Sequence, residues 1–117
     1  MNRRAAKSLL DAISACSEIE GLVGQPSLDA FLSDRNRQLV AERLIVAVGE
    51  SLHQAEIEEP LLGDSVPDLK KIVGMRHVVA HGYRDIRPEI VWEAAVHRVP
   101  PLRLLLLEMI DQYSADS

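Results

Sequence analysis

Apolar residues recur at helical spacing in four long blocks, divided by glycine- and proline-containing breaks. The pattern predicts a first helix over about 3–22, with Leu9, Ile13, Cys16 and Leu22 near one stripe. "GLVGQPS" ends it, and Ser27 is placed to cap a short helix around "LDAFL". A long helix over about 34–58 carries Leu44, Val48 and Leu52 at four-residue intervals. Its interior Gly49 lowers helix propensity by about 1 kcal/mol against Ala, which points to close approach of a neighbouring helix. "EEPLLGDSVP" reads as a loop, and Pro67 as the first residue of a helix over about 67–81 that Gly82 ends. Pro88 opens "PEIVWEAAVHRV", the prolines at 100–101 break or bend the chain, and a last helix runs to about Tyr113. Leu102, Leu105, Leu106, Met109, Ile110 and Tyr113 form its stripe, with Leu104 and Leu107 partly off it. So wide an apolar face suits either a buried helix or a subunit interface.

Composition narrows the fold further. Of the 117 residues 47% are hydrophobic, which excludes a disordered chain, and the length fits a single domain over 1–117. One Phe, two Tyr and one Trp are the whole aromatic complement, so the core is aliphatic and helices are favoured over a sheet. The expected architecture is an all-α bundle of four main helices plus short ones. The lone Cys16 reads as a buried small hydrophobe in a reducing compartment. Asp11 interrupts the early apolar run too soon for a signal peptide. "LRLLLLEMI" falls far short of the roughly 20 residues that span a bilayer. The chain is expected to be soluble and cytoplasmic.

Charge singles out one stretch. The formal net charge is −5, which excludes a protein that coats nucleic acid over its whole surface. Yet "MRHVVAHGYRDIR" at 75–87 holds three arginines and two histidines against one carboxylate, Asp85. A cationic island on an acidic chain suits one bound phosphate group. Arg76 and Tyr83 are seven apart, two helical turns, with His81 between them at the helix end. Arginine offers a planar fork for phosphate oxygens, and histidine exchanges protons near neutral pH. These are the parts of a metal-free RNA cleavage site: a base for the 2′-hydroxyl, a cation for the phosphorus, an acid for the leaving oxygen. One histidine does not readily serve as base and acid at once, and a symmetric dimer would supply the second.

Other readings of the same residues stand beside this one. Arg and His near a helix C-terminus commonly satisfy terminal carbonyls and the helix dipole. His77 and His81 have the spacing of paired zinc ligands, but Val78 stands where the usual glutamate would be and Arg76 would repel a cation. Glu50 either orients Arg76 across the bundle or simply faces solvent. Trp92 is a core anchor or a base-stacking platform, with the core favoured. His53 and His97 read as surface residues. Arg84 and Arg87 either widen the phosphate footprint or solvate a loop.

"MRHVVAHGYRDI…EIVWEAA" resembles the signature of HepT-like proteins of the HEPN superfamily, an Arg, four residues, His, any residue, Tyr. Arg76, His81 and Tyr83 match it. His77 replaces the usual Asn, and Arg84 stands where an aromatic residue is common. "FLSDR" at 31–35, "GE" at 49–50, "PDLKKIVGMR" at 67–76 and "VPPLRLLL" at 99–106 keep the family's order and spacing. The resemblance implies a helical homodimer with the motifs facing a shared cleft, acting as a metal-independent endoribonuclease toxin without a cofactor. Arg76 and His81 would be catalytic and Tyr83 a cleft residue, with His77, Arg84 and Glu50 in support. It also implies an MntA-type partner, a minimal nucleotidyltransferase antitoxin that transfers AMP to Tyr83. RNA is the implied substrate; neither DNA nor a membrane is. The rival expectation is a non-catalytic partner subunit that binds nucleotide or substrate for such a nucleotidyltransferase.

Overall fold

The computed structural model describes residues 1–24, 27–81 and 87–116, with the side chains of Ala80 and His81 outside that description. Every regular element among these residues is helical. In order they are α1 (Arg3–Val23), α2 (Leu28–Leu32), α3 (Arg35–Glu58), a 3-10 turn (Pro60–Asp64), α4 (Leu69–His81), α5 (Pro88–Glu93), a π-helical segment (Ala94–Arg98) and α6 (Val99–Asp116). The all-α expectation holds.

Local chemistry sets the helix starts. Side-chain oxygens of Asn2, Ser27 and Asp34 accept the backbone N–H of Ala5, Ala30 and Arg37, at 2.8, 3.2 and 3.0 Å. Each satisfies one of the amides that a helix start leaves unpaired. The bond to Arg37 N–H, helped by the Arg37 guanidinium, holds the Asp34 carboxyl below its ordinary pKa. Gln38, buried near the start of α3, donates to the carbonyls of Phe31 and Leu32 and so joins α2 to α3.

Contacts between helix ends fix their directions. Asn2 Nδ2 donates to the Glu58 carbonyl at 3.2 Å, while Arg37 Nη1 donates to the Leu22 carbonyl at 2.7 Å. Start meets end at both places, so α1 and α3 are antiparallel. Glu20 of α1 pairs with Arg103 of α6, which makes α6 antiparallel to α1 as well. The core lies among these three helices, and Leu9, Cys16, Ile19, Leu52 and Leu106 are fully buried. On α1 the buried stripe runs Ala5, Leu9, Ala12, Cys16, Ile19, Val23, one residue per turn, while Ile13 and Leu22 only flank it. Burial pushes the Cys16 thiol up to about 12, reinforced by Glu20. Phe31 is fully buried, and Trp92 packs on it with ring centroids 5.4 Å apart.

The structure corrects several sequence expectations. The predicted loop at 58–67 contains the 3-10 turn, which buries Leu62, and Val66 is buried just beyond it. Pro67 lies before α4 rather than at its first position. Asp68 intervenes with φ 59°, and its carbonyl accepts the first helical bond, from Ile72 N–H. Pro100 and Pro101 do not break the chain, which stays helical from Pro88 to Asp116. The π-helical segment accommodates them, Val99 N–H reaching back five residues to the Ala94 carbonyl. In α6 only Leu106 of the expected stripe is fully buried, and Leu104 is exposed. Among the described residues no helix is long and apolar enough to cross a membrane.

Candidate active site

α4 carries the arginine and histidines singled out in the sequence, and it packs chiefly against α3. Its inward face presents Leu69, Ile72, Arg76 and Val79, spaced three or four apart. Arg76 therefore occupies a position that an aliphatic residue would ordinarily fill. Its side chain is only 16% exposed.

Gly49 of α3 makes this seat. A Cβ at that position would lie 2.9 Å from Arg76 Cβ and 3.5 Å from the Ile72 carbonyl oxygen. No ordinary Cβ contact is that short, so only glycine allows α4 to come this near. The close approach expected from the sequence is thus directed at Arg76 itself. One residue on, Glu50 Oε2 accepts from Arg76 Nη1 at 3.2 Å. The Glu50 carboxylate thus meets Arg76 across the helix pair while its side chain stays 58% exposed. Arg76 Nε is buried without a hydrogen-bond partner.

The remaining expected site residues are placed unevenly. His77 lies on the exposed outer side of α4, next to Val78, which is also exposed. The backbone of His81 is the last residue of α4, five positions or about 7.5 Å along the axis from Arg76. Tyr83, Arg84 and Asp85 lie outside the described residues, and so does the His81 side chain. Arg87 precedes α5 and is exposed. Among the described residues no three His, Cys, Asp or Glu side chains gather into a group that could hold a metal ion.

Two other histidines differ from each other. His97 is exposed and sits 3.8 Å from Glu93, one turn away, as a surface residue should. His53 corrects the sequence reading: it is half-buried, and its Nδ1 has no partner. A mostly apolar cleft of about 350 Å³ also opens between α4 and the start of α6, with Ile72 and Met75 on one side and Leu102 and Leu105 on the other. Periodicity within single helices gave no signal for this cleft, because its walls come from separate parts of the chain.

A family model described as ribonuclease HepT-like matches residues 12–109. The chain belongs to that family. The match covers more than four-fifths of the sequence and includes Gly49, Glu50, Arg76, His81 and Tyr83. The helical architecture agrees with the HEPN superfamily fold that HepT-like membership carries. No curated protein and no solved structure matches the chain.

Proposed function

We propose that this HepT-like chain is a metal-independent endoribonuclease, the toxin of a toxin–antitoxin pair. The observation that carries the reading is Arg76: a guanidinium seated between two helices, held by Glu50, five residues before a helix-terminal histidine, in a chain of the ribonuclease HepT-like family. An arginine used only to solvate a helix end would sit at the surface rather than in a glycine-made seam.

The chemistry follows from the residue types. His81 takes the proton of an RNA 2′-hydroxyl, whose oxygen then attacks the adjacent phosphorus. Negative charge gathers on the non-bridging oxygens, where Arg76 stabilises it. The P–O5′ bond breaks, and the leaving oxygen gains a proton from His81 of a second copy, an arrangement that asks for a homodimer. The products are a 2′,3′-cyclic phosphate and a 5′-hydroxyl. Control would fall on Tyr83. Its phenolic oxygen attacks the α-phosphorus of ATP on an MntA-type nucleotidyltransferase, releasing pyrophosphate and the phenolic proton. The AMP ester places an anion where RNA phosphate would bind Arg76.

The test is cleavage of a defined RNA in EDTA, with end-group analysis of the products. His81→Ala should lower the rate by about 10²–10⁴-fold while leaving the melting temperature unchanged. Cleavage that survives this change overturns the assignment of His81. Cleavage that stops in EDTA and returns with a divalent cation would favour the paired-histidine metal reading. Folded wild-type protein that binds nucleotide and never cuts RNA would favour the non-catalytic subunit.

A further inference from the structure

Arginine can meet a phosphate through two forks, a lateral one formed by Nε and Nη2 and a terminal one formed by Nη1 and Nη2. In Arg76 these forks are not equivalent. Nε is buried without a partner, so the lateral fork is closed to any incoming anion. Nη1 is tied to Glu50 at 3.2 Å. Rotation of the side chain is further limited near its base, where Gly49 brings the α3 backbone against Arg76 Cβ.

We propose that Glu50 is a positioning residue of the phosphate site, fixing the plane of the Arg76 guanidinium so that only its terminal edge meets the scissile phosphate. Glu50 acts through Arg76 and does not touch the substrate. The proposal rests on Arg76 being the phosphate ligand, and it adds a direction of approach. Two opposed effects follow from one carboxylate. Holding the guanidinium in place favours the transition state, because its geometry is set before charge develops. The same negative charge, beside the site, weakens binding of the ground-state phosphate.

Substitution separates these effects. Glu50→Gln keeps an acceptor for Nη1 and removes the charge, so kcat should stay within about threefold of wild type while KM falls. Glu50→Ala removes both, so kcat should drop by about ten- to a hundredfold with KM no higher than wild type. A residue that only supports the fold would lower the melting temperature without this split and without rescue by Gln. Unchanged kcat in Glu50→Ala overturns the proposal, and so do equal losses in Gln and Ala.

A second measurement needs no cleavage and therefore separates this proposal from the ribonuclease reading. In ¹⁵N-arginine-labelled protein, with the Arg76 signals identified by their loss in Arg76→Lys, inorganic phosphate is titrated in. The Nη signals should shift while the buried Nε–H signal stays in place, and the Glu50→Ala variant should lose that selectivity. A phosphate-induced shift of Nε overturns the positioning role. The selective shift in a protein that never cuts RNA would leave the positioning role standing and fail only the ribonuclease reading.

Discussion

The three-helix body of α1, α3 and α6 and the single helix α4 are built to different rules. In the body, chiefly along α1 and α3, aliphatic and small residues are buried, and polar contacts lie at the ends: Asn2 with Glu58, Arg37 with Leu22, Arg103 with Glu20. α4 inverts this. Of its described side chains only Leu69 and Val79 are fully buried, and a charged arginine fills the middle of its packed face. Hydrophobic stabilisation scales with apolar area removed from water, so most of it sits in the body. Elements with little burial are the ones free to carry chemistry and to open locally. The lesson is a division of labour, in which the helix bearing the candidate site buries far fewer side chains than α1 and α3, which hold the core.

Mutations on the two sides should expose that division. The largest loss of stability is expected in the body: Leu9→Ala should cost about 2–5 kcal/mol in urea unfolding, because Leu9 is fully buried on the core stripe of α1. A cost under about 1 kcal/mol would mean that the body is not the stabilising part. Gly49→Ala should cost less, about 1–3 kcal/mol, since its Cβ meets Arg76 Cβ rather than the flexible end of that side chain. Its distinctive mark is function, with phosphate binding lost well below the temperature at which the body melts. The smallest effect concerns Cys16. Its folded pKa, about 12, lies above the ordinary thiol value of 9.0, so the stability it adds is fully present below pH 9. It is lost as the pH rises from there towards 12, where the unfolded chain ionises first. At pH 8 a thiol reagent should label Cys16 only at the rate of global unfolding, and faster labelling would place local opening in the body.

Much of this was legible in the sequence, for identifiable reasons. Ser27 and Pro88 mark helix starts through chemistry confined to one turn, and Asp34 proves to be the cap of the helix expected from that position. Gly49 announced a close approach because interior glycine costs helix propensity, yet the same signal at Gly21 and Gly74 marks open space, so the glycine alone did not say which helix would be approached. The stripe of α1 was only half visible, because Ala5, Ala12 and Ala15 add little to a hydrophobic pattern although they let helices approach closely. Burial along α6 was misjudged since it depends on which neighbours cover each leucine, and the chain pattern holds no record of that. Arg76 stood out by composition, yet its contact with Glu50 spans 26 positions, and spacing within one helix carries no such information. His53 failed for the same reason.

The π-helical segment has a consequence for the whole C-terminal third. One i to i+5 turn inserts a single residue into an otherwise α-helical run, and each residue advances the side-chain direction by about 100°. The insertion that accommodates Pro100 and Pro101 therefore also sets the rotational phase of everything after it. Leu106 reaches the core, and Arg103 reaches Glu20, only at that phase. Deleting one residue between Ala94 and Arg98 would shift that phase by about 100° and turn Leu106 away from α1, so the irregular turn works as the key that aligns the last helix with the first.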